Sequence, residues 1–500
     1  MALDPRTPVL VGAGQWSNRV DRGEPPVEPV DMMAEALRRA ATDAGAGEAA
    51  AGSLLTGADA VRVVAVFSVH YRNAARLVAD RIGATPGDLA HSPIGGNEPQ
   101  ALVNRACLNI LAGDADTVLI AGAEAWRTRS ALGRDGMAGL GWGSEDDATP
   151  DARLTSPQAD LNHPGEMARG IYMPTQVYPL FEQALRHAAG RSIDDHLVHV
   201  SNLWSGFSAV AAGNEHAWIQ RELTPEEIRT ASPDNRWVCW PYTKVMNANN
   251  AVEQSAALIL CSAERATALG VPRDRWVFPL AGTQAHDTYA VSHRQDLRSS
   301  GAIRLAAREL FALADVGADD LAHVDLYSCF PSAVQVAAAE IGLPLDRPLT
   351  VTGGLSFAGG PWNNYVSHSI ATMAGLLREA DPGTRGLITA NGGYVTKHAL
   401  GIYGNEPGPG FRWADVQDEV DKLPTRTLAD QVDDAVTLES WVVAHDRDGS
   451  PERVLAACIT DDGRRAWANS DDTDTVTELR SGAEQIGRRV KVDPDGALRL

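Results

Sequence analysis

The sequence predicts an α/β protein built twice over, with a long insertion in the first half and a small β-rich unit at the end. Three observations predict it. Strand and helix patterns alternate over the first 125 residues and again over residues 276–410, as in a duplicated layered fold. Between 126 and 250 the rhythm breaks into a stretch rich in Gly, Pro, Asp and Trp, and insertions of that length are often functional. Beyond the linker signal Asn405-Glu-Pro-Gly-Pro-Gly410, short apolar runs return. The expected units are residues 1–125 with 251–275 as a first half, 126–250 as a loop domain, 276–410 as a second half and 411–500 as an additional domain.

In the first half, Val9 to Gly12 reads as a buried strand and Asp31 to Ala44 as a helix, with Met33, Leu37, Ala40 and Ala41 on one face. Val61 to Phe67 is a second apolar run, followed by a helix over Arg72 to Ile82. The turn Gly95-Gly96-Asn97 leads into a helix from Pro99 whose stripe is Val103, Ala106, Cys107 and Ile110. Thr117 to Ala121 is a strand. In the insertion, helices are expected at 177–189 and 196–212, and the strand pattern resumes at Ala256 to Cys261. The second half has strands at 276–281, 324–329, 386–391 and 398–403. Its helices are at 302–314 and 331–341, with a third carrying Val366, Ile370, Met373 and Leu377.

Strands at 436–444, 454–460 and 465–468, a helix at 473–481 and strands at 486–492 and 497–500 follow the order of a small OB-like barrel. Residues 411–500 hold 20 acidic and 12 basic side chains, net −8, which speaks against oligonucleotide binding. The whole chain carries −21, the wrong sign for nucleic acid or an anionic membrane. No apolar run approaches the roughly 20 residues of a membrane span, and no secretion signal is read at the N-terminus, so the cytoplasm is the expected location. Five cysteines without CxxC spacing fit a reducing compartment and give no zinc motif.

Three stretches resemble the thiolase superfamily. Ala112-Gly-Asp-Ala-Asp-Thr-Val-Leu-Ile-Ala-Gly-Ala-Glu124 is similar to the helix end and strand that follow a thiolase nucleophile. Tyr242 to Ala257, with Asn247-Ala248-Asn249, resembles the loop-domain exit that meets the CoA tail. Gly353-Gly-Leu-Ser-Phe-Ala-Gly-Gly-Pro361 resembles the segment ending in Gly-His-Pro. The order of the three matches the family over residues 5–405, nearest to the thiolase-like proteins of type 1, which carry a C-terminal extension. The resemblance implies a five-layer αβαβα fold, CoA or acyl-CoA as ligand with no further cofactor, and a homodimer by family default, a monomer being the alternative.

Thiolases need a nucleophilic cysteine at a helix N-terminus, a histidine that activates it, a second cysteine that moves a proton, and oxyanion holes. On this alignment the nucleophile falls on Gly96, the Gly-His-Pro histidine on Gly360 and the water-holding asparagine on Tyr327. The final Cys-x-Gly falls on Thr389-Ala390-Asn391-Gly392-Gly393. Ordinary two-cysteine chemistry is therefore not expected. Asn247 and Asn249 either meet pantetheine or cap a turn. Gly96, Gly360 and Gly392 either present backbone N–H groups to a ligand or form tight turns. Cys329, before a helix begun by Pro331, either gains thiolate character from the dipole or is an inert core residue. His398 is either a general base or a solvated or hydrogen-bonded residue opening an edge strand, and His368 stands with it. The leading expectation is a CoA- or acyl-CoA-binding protein of acyltransferase type. The rivals are a non-enzymatic scaffold recruiting a partner through 411–500, whose deletion leaves the core folded, and a thiolase with relocated catalysts dependent on Cys329.

Overall fold

The computed structural model describes residues 3–146, 148–429 and 431–500. Its first sheet runs in the order Pro8–Ser17, Glu253–Ser262, Thr117–Ala125, Ala60–Val63, Asp88–His91 and Arg153–Leu154. The second runs His323–Asp325, Arg385–Gly392, Lys397–Gly404, Phe278–His286 and Arg412–Asp415. In each half the opening strand lies antiparallel to the last one, and the last lies antiparallel to the strand that follows the central helix. The duplication expected from the alternating pattern is thus a shared strand order. Arg412–Asp415 pairs in parallel with Phe278–His286, so the second sheet continues past the linker signal.

Two helices, Glu98–Ala112 and Tyr365–Glu379, lie between the sheets and touch strands of both. Pro99 sits in the opening turn of the first, where a missing N–H costs nothing, and Gly113 ends it in the left-handed region at φ 82°. This helix buries polar as well as apolar side chains, and those polar groups bond each other. Gln100 donates to Asn104 Oδ1 at 2.8 Å and accepts from the Tyr403 hydroxyl at 2.8 Å. Pro29–Asp43 covers the outer face of the first sheet and Gly301–Ala314 that of the second, completing an αβαβα stack.

Within the insertion the two longest helices span Pro174–Ala188 and Ile193–Gly213. Its strand Trp237–Trp240 joins the C-terminal sheet, pairing Trp240 with Val443. That sheet is ordered Arg465–Ser470, Pro451–Ile459, Asp434–His445, Arg489–Val492 and Leu498–Arg499. A parallel bridge from Asn469 to Ala497 brings its ends together, and the helix Thr473–Leu479 stands between the third and fourth strands, the connectivity of an OB-like barrel. It has its own core around Trp441, Leu438, Val454 and Leu479. No helix among the described residues is long and apolar enough to cross a membrane.

The barrel is not a tethered appendage. Arg465 is fully buried, bonds both Glu439 oxygens at 2.7 Å, and donates to the carbonyls of Val291, Ser292 and Arg294. Arg186, 2% exposed, forms a bidentate pair with Glu484. Trp467 Nε1 donates to Ser292 Oγ at 2.8 Å. Loss of residues 411–500 would remove the acid that pairs with Arg186 and uncover the apolar surface beneath the barrel. Arg465→Ala is expected to cost about 3–5 kcal/mol, the range for breaking a buried charge pair. Urea unfolding measures it, and a cost under about 1 kcal/mol would contradict the fastening described.

Candidate functional site

The Gly95-Gly96 turn brings the start of the Glu98–Ala112 helix against the end of the second sheet. A Cβ on Gly96 would lie 2.2 Å from the Tyr327 hydroxyl oxygen and 2.5 Å from the Asn391 carbonyl oxygen. No side chain fits there. Tyr327 follows the strand His323–Asp325, is held by its N–H to Thr389 Oγ1 at 2.9 Å, and sets its ring edge-on to Tyr365. Burial pushes its phenol well above the usual range, so the hydroxyl stays neutral. The space bounded by Tyr327, Ala333, Asn391, Val395 and His398 is about 10 Å³, at or below the size of one water.

Cys329 does not carry the activated thiol that its place before Pro331 suggested. It is 7% exposed, and burial pushes its thiol up to about 12. Desolvation there outweighs the dipole and the nearby Tyr178 and Asn391 amide. His398 is also corrected. Its strand Lys397–Gly404 is paired on both sides, so it opens an interior strand, and it is 3% exposed. Its Nε2 faces the Val395 carbonyl at 3.2 Å and Asp287 Oδ2 at 3.5 Å. Burial works to raise the Asp287 carboxyl, but Arg294 and His398 outweigh it and hold it down at about 2. His368 pairs with Gln15 at 2.8 Å, and burial pushes it down to about 3, leaving it neutral.

The glycine and asparagine candidates bond within the chain. Gly360 N–H donates to the Asn249 carbonyl at 2.9 Å, and Gly95 N–H donates to Asn363 Oδ1 at 3.0 Å. The Asn247 side-chain amide donates to Thr243 O at 2.7 Å, closing its own turn, its backbone carbonyl accepts from Ser356 Oγ, and its Oδ1 is buried without a partner. Asn249 N–H donates to Leu355 O at 3.0 Å. Gly392 faces Asn97, whose Oδ1 would lie 2.3 Å from a Cβ there. The structure thus gathers Gly96, Tyr327, Asn391, Gly392 and His398 at one place. It sets Asn247 and Asn249 at another, against the Gly353–Pro361 segment that contains Gly360. Trp362 seals the side beyond it, wedged between Phe67 and Trp126 at 4.9 and 4.8 Å.

Sequence reasoning passed over Glu98 and Lys397. Their side chains stand 3.8 Å apart on the other side of the Gly95 turn, both nearly buried. Burial raises the Glu98 carboxyl from 4.5 to about 7 and lowers the Lys397 ammonium. The signal that could have found Lys397 is rarity, since lysine supplies four of the 44 basic side chains: Lys244, Lys397, Lys422 and Lys491. Among the described residues no three His, Cys, Asp or Glu side chains are grouped to hold a metal ion.

Residues 415–497 match the model of the thiolase-like protein type 1 additional C-terminal domain. The chain is similar along its whole length to a monomeric SCP2-thiolase-like protein type 1 from Mycobacterium smegmatis, with 31% identity, full coverage of both chains and a TM-score of 0.84. The dimeric peroxisomal thiolase of Saccharomyces cerevisiae shares the fold at 12% identity and a TM-score of 0.58, over 81% of this chain and 99% of that one. An acetyl-CoA acetyltransferase of Methanocaldococcus jannaschii is 23% identical over 275 residues, 55% of this chain and 62% of that relative's length.

All five cysteines are buried and unpaired. A thiol reagent such as Ellman's is therefore expected to find no fast thiol in the native chain at pH 8 and five after denaturation; one rapid native thiol would contradict the burial of Cys329. Glu98 has a pH signature. Below pH 4.5 folded and unfolded chains both hold its proton, and burial costs nothing. As pH rises from 4.5 towards 7 the unfolded chain ionises first, so stability falls by on the order of 3 kcal/mol and stays lower above that window. Thermal melts at pH 5 and pH 8 should show a smaller drop in Glu98→Gln than in the natural chain.

Proposed function

We propose, from the premise that this chain belongs to the SCP2-thiolase-like proteins of type 1, that it binds CoA or an acyl-CoA without performing two-cysteine thiolysis. The observation that carries the second part is the Tyr327 hydroxyl standing where a side chain on residue 96 would have to be. A nucleophile cannot be placed there without displacing both a tyrosine and the Asn391 backbone. A high-pKa thiol at Cys329 supplies no substitute, because thiolate is the attacking form. Support for the ligand comes from kinship with acetyl-CoA acetyltransferases and from the three segments in register. The reading places Asn247, Asn249 and Gly360 at the pantetheine end, Gly96 and Gly392 at the thioester end, and takes Cys329, His398 and Tyr327 as the remnant of the catalytic set.

The chain is read as a monomer. Ala90 and His91 of the Asp88–His91 strand pair with Arg153–Leu154, which shortens the open stretch at that edge of the first sheet. The Mycobacterium smegmatis relative is described as monomeric.

The scaffold reading is favoured by the same filled centre. Because the barrel is fastened to the core, its test is a pull-down with charge-reversal variants on the barrel surface rather than a deletion.

Calorimetry with CoA and acetyl-CoA tests the ligand, and no heat at millimolar ligand would overturn it. Acetoacetyl-CoA cleavage is expected to be absent in the natural chain, and Gly96→Cys is expected to remain inactive while destabilising the fold by about 1–3 kcal/mol through overpacking. Turnover that disappears in Cys329→Ser would instead establish a relocated catalyst. Light scattering should return the 53.2 kDa of one chain.

A further inference from the structure

We propose that the cavity walled by Glu98, Lys397 and Arg105 is a second ligand site, one that takes an oxo acid and holds its carbonyl carbon on Lys397 as a reversible imine. The cavity measures about 520 Å³ and lies between the start of the Glu98–Ala112 helix, residues 155–159, and the strands that carry Gln284 and Lys397. It is separate from the space of about 10 Å³ around Tyr327, and neither the presence nor the absence of CoA binding bears on it. A cavity of that volume is within the ordinary range for small-molecule sites.

Four features point to this ligand. The first is the choice of lysine. Arginine fills 40 of the 44 basic positions, and of the four lysines Lys397 alone is not exposed; its side chain is 11% exposed. Arginine neither loses its proton nor forms an imine, whereas a desolvated lysine does both.

The second is the cradle. A Cβ on Gly95 would lie 2.7 Å from Lys397 Nζ, and one on Gly392 would lie 3.1 Å from its Cε, so two glycines leave room for the amine where side chains would displace it.

The third is the acid beside it. Glu98 stands 3.8 Å from Nζ and accepts from Asn97 Nδ2 at 2.9 Å, while Nζ donates to the Ile94 carbonyl, a bond it must give up to attack. Burial raises this carboxyl to about 7, which keeps a proton donor beside the amine, and lowers the ammonium, which favours the free amine.

The fourth is what lacks a partner. Asn97 Oδ1 is buried on the cavity wall with no hydrogen bond. Arg105 has no ion pair or hydrogen bond among the described residues, which leaves its guanidinium for a carboxylate. The other charged or titratable groups facing the cavity are already engaged. Asp415 accepts from Gln284 at 2.8 Å, and His286 bonds the Asp287 carbonyl and stacks on Tyr289. His398 faces Val395 O.

In the step, the free amine of Lys397 attacks the carbonyl carbon and a C–N bond forms. Glu98 gives a proton to the carbonyl oxygen, and an amine proton returns to Glu98. The hydroxyl then leaves as water with a second proton relayed through Glu98, and the second amine proton restores the carboxyl as C=N forms. Amine and oxo acid become imine and water, and Glu98 ends as it began.

The test uses the natural full-length chain with pyruvate and, separately, with neutral acetaldehyde, each in the presence of cyanoborohydride at pH 7, followed by peptide mass spectrometry. The expected result is reduced adduct on Lys397 about tenfold or more above Lys244, Lys422 and Lys491, since a lowered pKa and the cavity beside it both favour attack by this amine. Equal labelling of the four, or label confined to the exposed three, overturns the proposal. Arg105→Ala should reduce labelling by pyruvate and leave labelling by acetaldehyde unchanged; an equal effect on both probes removes the carboxylate contact and with it the oxo acid.

Discussion

Two helices pass between two sheets, and the dryness of that layer governs everything around it. Polar groups there have no water to turn to, so each must find a partner in the chain or carry a desolvation cost. Gln100, Asn104 and Tyr403 bond one another across the Glu98–Ala112 helix and the second sheet. Asp325 is held by the Val351 N–H and by the hydroxyls of Thr350, Ser369 and Tyr365. Those bonds fix the end of the strand from which Tyr327 emerges, and with it the position of the Tyr327 ring.

The candidate site follows from that constraint. Where the fold brings the helix N-terminus, the Gly353–Pro361 segment and the Arg385–Gly392 strand together, a substrate cavity would need unpaired donors and open volume. Here Gly360 donates to Asn249 and Gly95 to Asn363, and the Tyr327 hydroxyl stands where a side chain on Gly96 would lie. The same burial that keeps Cys329 and Tyr327 protonated acts in the opposite sense on the Glu98–Lys397 pair. There it moves an acid and an amine towards neutrality, beside a cavity large enough to receive a ligand.

The C-terminal barrel is bound to this body by charge taken out of water. Arg465 and Arg186 each satisfy a carboxylate, and Arg465 also reaches backbone carbonyls across the junction. The strand Trp237–Trp240 extends the barrel's sheet into the loop domain. A barrel held by backbone pairing and buried guanidinium groups moves with the core, so any role it has is exerted from a fixed position.

The sequence by itself determined the element pattern, the duplication, the family resemblance and the positions left without cysteine or histidine. Each depends on local periodicity or on residue identity at a register set by neighbouring motifs, and both can be read along one chain. The barrel strands were legible for the same reason, although their attachment was not. Only the tertiary structure decided what stands in the emptied places. That Tyr327 fills the space beside Gly96, that His398 sits in an interior strand, and that Glu98 meets Lys397 are facts about residues hundreds of positions apart. Their energies come from the burial they share, and burial is a property of the packed layers rather than of any segment.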